Sequence, residues 1–172
     1  MKRKDKISIV VADDRPVVLY GLQSWFEAHE RFRVTACVRN ADQLLARLTA
    51  ASYDVIVLGC GLEGSRADDF ALLRELRRSF RETPVVVFTE ETDSHTLFDM
   101  QHAGASGLVS PREEARAFER VCERVLSGAE KIVSPRIANC CNTAASTISF
   151  DASPDYDRVR VRVSVRQFVA VP

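Results

Sequence analysis

Short runs of β-branched residues alternate with stretches whose apolar residues recur every three or four positions, over residues 7 to 126. The runs ISIVVA (7–12), RVTACV (33–38), VIVL (55–58), VVVFT (85–89) and GLV (107–109) predict strands. Helical spacing predicts helices over 17–28, 42–50, 69–80, 95–103 and 113–126. In the third of these, Phe70, Leu72, Leu73 and Leu76 share a face. In the fifth, Ala117, Val121 and Val125 form one stripe, and Arg116, Arg120 and Arg124 form another. Strands rich in Val and Ile with little polar alternation are the pattern of a parallel sheet covered on both faces.

Five strand-helix units and right-handed crossovers leave few arrangements. The one expected is α/β: a five-stranded, parallel, doubly wound sheet of order 2-1-3-4-5. Its ligand site then lies beyond the carboxyl ends of the strands, where strands 1 and 3 diverge. Past residue 127 the pattern changes to a turn, a short helix over 135–141 and a small, polar segment (142–155), and then to alternating Val and Arg. The domains expected are a body over 1–127, a linker over 128–158 and a distinct end over 159–172.

A length of 172 residues suits one domain with an appendage. The 46% hydrophobic and 28% charged composition excludes a disordered or fibrous chain. No apolar run approaches the ~20 residues of a membrane span, and the start is too short in apolar residues for a signal peptide, so a cytoplasmic location is expected. Five unmatched cysteines then read as reduced thiols. Twenty-four basic residues cancel twenty-four acidic ones, so no global field draws the chain to nucleic acid or to an acidic membrane. The kind of base matters more. Twenty are arginine, and no lysine stands between Lys6 and Lys131, which excludes any mechanism needing an amine in that span.

The first strand ends in Asp13-Asp14. Adjacent carboxylates after a buried strand repel each other unless a cation offsets them; Mg²⁺ suits such hard oxygen ligands, and Arg15 or another arginine is the internal alternative. The plainer account is a solvated helix N-terminus, where the dipole favours acids. Thr89 ends the fourth strand with a hydroxyl. Cys60 reads as a packing residue, since neighbouring acids work against a reactive thiolate. His29, His95 and His102 are scattered and form no ligand set.

In order, VVADDRPVVLYGL, YDVIVLG, VVVFTE and AGASGLVSP resemble the receiver domain of two-component response regulators, in the NarL/FixJ (LuxR-type) branch. The long loop GCGLEGSRADDF is similar to the capsule-regulator type within it. The resemblance implies a flavodoxin-like receiver fold. It also implies an acidic pair holding Mg²⁺, a phosphoacceptor aspartate ending strand 3, a hydroxyl ending strand 4 and a lysine ending strand 5. Asp13 and Asp14 match the acidic pair and Thr89 the hydroxyl. The acceptor position falls on Gly59, which has no side chain to form an acyl phosphate. The lysine position falls on Pro111, or on Ser110 if strand 5 is one residue shorter. Asp54 lies at the wrong end of the strand, roughly four rises of 3.3 Å away. Asp68 and Asp69 are remote substitutes. Leu108 stands where an aromatic switch residue is usual.

The function expected is therefore that of an atypical, non-enzymatic response regulator whose receiver works without phosphorylation, with Mg²⁺ bound loosely at best by Asp13 and Asp14. It would act through a homodimer, or a heterodimer with another response regulator. The first and fifth helices are the expected surface, with Arg116, Arg120 and Arg124 facing acids such as Glu119 and Glu123 of a partner copy. The segment 163–170, VSVRQFVA, is similar to the opening of a LuxR-type helix-turn-helix domain, so DNA contact is expected only through a C-terminal domain beyond this chain. The alternative is a stand-alone adaptor that binds a histidine kinase or a regulator without touching DNA.

Overall fold

The protein was described from a computed structural model covering residues 6–60, 62, 70–146 and 169–170. The elements run β1 (Ile7–Ala12), α1 (Pro16–Glu27), β2 (Phe32–Val38), α2 (Ala41–Ala50), β3 (Val55–Gly59), α3 (Ala71–Ser79) and β4 (Val85–Phe88). They continue with α4 (Ser94–Ala103), β5 (Gly107–Val109), α5 (Ala115–Leu126), β6 (Ile132–Val133), α6 (Pro135–Ser146) and β7 (Val169–Ala170). The sheet order is β2-β1-β3-β4-β5-β6-β7, and every pairing is parallel.

The doubly wound order 2-1-3-4-5 stands, and the expected count of five strands is corrected to seven among the described residues. Two residues of β6 continue the edge beyond β5, with Ile132 beside Gly107 and Val133 beside Leu108. Two-residue strands carry no periodic signature, and the partner of β7 is distant in sequence, so only pairing reveals them. The stretch from 128 onward, expected as a linker, contributes Ile132, Val133, Ile137, Ala138 and Cys141 to the core. Its helix also runs past residue 141, to Ser146. Most of the expected C-terminal stub, 159–168, lies outside the described residues; Val169–Ala170 pairs with β6 as a strand, whereas the helix-turn-helix resemblance implied a helix.

Alternate residues of each strand enter opposite cores, as period-2 geometry requires. Ile9, Val11, Val55, Val57, Val86 and Phe88 pack with Phe26 of α1 and Phe118 and Val121 of α5. The Phe118 ring lies 5.5 Å from that of Phe26 and 5.2 Å from that of Phe88. Val10, Ala12, Ile56, Leu58 and Leu108 face the other core, with Leu44, Leu73, Leu76, Leu97 and Ile137 from the helices of that side. Helix α3 begins at Ala71, two residues later than expected, because Phe70 adopts a left-handed backbone (φ 62) at its cap. Gly104, at φ +134, ends α4, and its missing Cβ leaves room for Arg77. Among the described residues no helix is long and apolar enough to cross a membrane.

Candidate functional site

The carboxyl ends of β1, β3, β4 and β5 open on a cleft of about 760 Å³ lined by Asp14, Arg15, Cys60, Thr89, Glu90 and Pro111 among others. β1 delivers Asp13 and Asp14 side by side, but to different environments. Asp13 is 1% exposed, whereas Asp14 is exposed to solvent. A buried carboxylate needs partners, and Asp13 finds them two residues on. The Arg15 backbone N–H donates to Asp13 Oδ1 at 2.8 Å, Arg15 Nε donates to the same oxygen at 2.9 Å, and Arg15 Nη2 donates to Oδ2 at 2.9 Å. This planar fork on a carboxylate is the strong, bidentate form of the pair. The hydrogen bond that Arg15 donates to Asp13 raises the pKa of Arg15 above its ordinary value, against the opposing effect of burial, with the charges of Asp13, Asp14 and Glu90 adding to it.

Local sequence explains the aim of Arg15. Pro16 opens α1, and the residue before a proline is pushed into extended backbone. Arg15 accordingly sits at φ −90 and ψ 110, outside the helix, and folds back over the end of β1.

Gly59 is the last residue of β3 and is buried. Its flanks are fixed: the Cys60 N–H donates to the Phe88 carbonyl at 2.9 Å, and the Leu62 N–H donates to the Gly59 carbonyl at 3.1 Å. Thr89 follows β4, is 2% exposed, and accepts a hydrogen bond from the Glu91 N–H through its hydroxyl at 3.0 Å. Ser110 is buried beyond β5; its N–H donates to the Ser134 hydroxyl and its own hydroxyl accepts from the Arg112 N–H, each at 3.3 Å. Pro111 lies on the cleft wall. Leu108 is fully buried in the core shared by α4 and α6. Cys60 is half-buried and packs against that core from the cleft. Asp68 and Asp69 lie outside the described residues.

Asp13, Asp14, Gly59, Thr89 and the end of β5 thus meet at one edge. The Mg²⁺ that the resemblance implies does not fit the residues there. Both oxygens of Asp13 are held by Arg15, position 59 offers no oxygen from a side chain, and of the acidic pair this leaves Asp14, which is exposed to solvent. Among the described residues no three His, Cys, Asp or Glu side chains converge to hold a metal.

On α5, Arg116, Arg120 and Arg124 are exposed, as the periodicity predicts. The acids expected to meet them across an interface are engaged within the chain. Glu119 accepts from Trp25 Nε1 at 2.8 Å and lies 3.3 Å from His29 Nε2, and Glu123 is bound by Arg31. These contacts tie α5 to α1 and to the turn before β2. The sequence reading missed a second feature: Val17, Tyr20 and Trp25, the large exposed hydrophobics among the described residues, all lie on α1. Its signal was legible, since Pro16 to Trp25 contains no charged residue.

The family profile described as the response regulator receiver domain matches residues 9–121. The "probable transcriptional regulatory protein SgaR" of Hyphomicrobium methylovorum is 27% identical over 123 residues, which are 72% of this chain and 57% of that protein. A nitrate/nitrite response regulator homologue of Haemophilus influenzae is 25% identical over 136 residues, 79% of this chain and 64% of that protein. This chain therefore spans about three fifths of the length of these curated relatives. Among solved structures, the RcsB response regulator of Salmonella typhimurium superposes with a TM-score of 0.72 at 17% identity, over 82% of this chain and 68% of that one.

Proposed function

Because the chain belongs to the response regulator receiver family, we propose that it is a receiver that has lost phosphoryl acceptance and controls transcription by pairing, with a second copy or with another regulator. The observation that carries this is Gly59. It stands at the carboxyl end of β3, an interior strand, facing Asp13, where phosphoryl transfer would need a nucleophile and has a hydrogen atom instead. The absence of lysine between Lys6 and Lys131 supports the same conclusion, because no amine is at hand to offset phosphoryl charge. Ser110 and Pro111 at the end of β5 supply none. No reaction is assigned to the chain.

Pairing is supported by α1. A helix uncharged from Pro16 to Trp25 that displays Val17, Tyr20 and Trp25 beside a small apolar groove lined by Val18, Leu22, Val109 and Phe118 offers both a projection and a recess. A two-fold contact requires such a self-complementary surface. Arg116, Arg120 and Arg124, exposed on α5, would set register and partner choice more than affinity. SgaR is a probable transcriptional regulatory protein by name, and DNA binding is proposed for the whole protein rather than for the residues described.

Two measurements test the reading. Incubation with a small phosphodonor and Mg²⁺, followed by intact-mass spectrometry, is expected to leave the mass unchanged; a stoichiometric, base-labile phosphoryl adduct overturns it. Light scattering on a size-exclusion column is expected to show a dimer in slow or fast exchange with monomer. A strict monomer at high concentration removes self-pairing and leaves a partner regulator.

A further inference from the structure

We infer that Arg15 is the resident cation of the acidic pocket, and that Asp13 held by Arg15 fills the volume of a residue-59 side chain, closing the pocket to a divalent ion and to any larger residue at position 59. The inference rests on reading position 59 as the vacated acceptor position. It goes further by naming what took the place of the lost groups.

Three observations converge. A Cβ built on Gly59 would meet Asp13 Cγ at 2.6 Å and Asp13 Cβ at 3.2 Å, with Oδ2 nearer still. The obstacle is a side chain 1% exposed and pinned by three hydrogen bonds, so it is no flexible tip that swings aside. Neither backbone yields easily: the Asp13 N–H is bonded to the Val38 carbonyl, and Gly59 is flanked by the bonds to Phe88 and Leu62 already described.

The electrostatics point the same way. A divalent ion entering here must displace a bidentate guanidinium that never releases its proton, and among the described residues the neighbouring carboxylates of the cleft, Asp14 and Glu90, are both exposed to solvent. Arg15 has 44% of its side chain exposed, so it caps Asp13 from the solvent side and blocks the path along which an ion would arrive. The sequence D-x-R-P builds this device within four residues: the strand end buries the acid, and the proline turns the arginine back onto it.

The test uses the full chain labelled with ¹⁵N and titrated with Mn²⁺ as a paramagnetic probe. In the wild type, the amide signals of Asp13, Arg15 and Gly59 are expected to broaden no more than those of other surface acids. In Arg15→Gln they are expected to broaden selectively and saturably. Selective broadening in the wild type, or none in a folded Arg15→Gln, overturns the inference. A thermal cycle covers the case in which that variant is too unstable for titration. Gly59→Ala should lower Tm in the wild type by at least roughly twice as much as in the Arg15→Gln background, where Asp13 is free to turn. Equal losses in the two backgrounds overturn it as well. Neither measurement reads phosphoryl transfer, so a phosphoryl adduct would sink the proposed function alone, and Mn²⁺ bound by the wild type would sink this inference alone.

Discussion

Asp13 occupies the space above Gly59: a methyl group built on Gly59 lies 2.6 Å from Asp13 Cγ, well inside contact distance. Position 59 carries no side chain, and Asp13, its neighbour across the sheet, stands in the volume that a Cβ there would take. Gly59→Ala is therefore expected to destabilise the protein by about 1–3 kcal/mol, the range for overpacking a well-filled site. Urea unfolding should show a lower midpoint with an unchanged slope. An unchanged midpoint would show that Asp13 moves freely, against the geometry.

Ile137 tests whether the segment after α5 is structural. It is 2% exposed in α6 and packs in the core with Leu108 and Val133. Truncation to alanine is expected to cost about 2–5 kcal/mol. A loss under half a kcal/mol, as for a surface position, would restore the linker reading.

Tyr20 is 75% exposed on α1 and belongs to neither core. Tyr20→Glu is expected to leave the unfolding midpoint within about 0.5 kcal/mol of the wild type while driving any dimer to monomer in light scattering. A dimer of undiminished affinity would assign pairing to another surface.

Glu119 joins two elements by accepting from Trp25 and lying beside His29. Glu119→Ala is expected to cost about 1 kcal/mol, the net worth of a hydrogen bond to a partly buried carboxylate. The fluorescence of Trp25, the chain's single tryptophan, should shift as its indole N–H loses its acceptor. A mutant with wild-type emission would mean that the bond does not persist in solution.

Cys122 is fully buried, and that burial, with the charges of Glu119 and Glu123 adding to it, pushes its thiol well above the ordinary value of 9.0. The unfolded chain releases this proton at lower pH than the folded one, so it binds fewer protons above pH 9 and stability falls as pH rises. Below about pH 9 the contribution is intact. Above it, stability should decline by up to about 1.4 kcal/mol per pH unit for this thiol, and Cys122→Ala should lose that part of the slope. Parallel slopes in the two proteins would show the thiolate to be tolerated.

The α/β class, the strand order through β5 and the two faces of α5 were all readable along the chain, because each depends on local periodicity. That residue 59 is a glycine and that no lysine stands between Lys6 and Lys131 are identities the sequence states outright. Strands β6 and β7 were not readable. A two-residue strand has no period, and its existence depends on the open edge of β5 offering hydrogen bonds.

The acids Glu119 and Glu123 show the same boundary between the two kinds of information. Their spacing placed them rightly beside the arginine row on α5, and sequence alone then assigned them to a partner. Distance in the fold assigns them to Trp25, His29 and Arg31 of the same chain, contacts that cross about ninety residues. Sequence by itself determined which side chains stand at the edge of the sheet and that residue 59 brings none. Only the tertiary structure decided what fills the gap, because the match between the emptiness of Gly59 and the paired bulk of Asp13 and Arg15 is a relation of volumes across neighbouring strands, and volume is not written in the order of the residues.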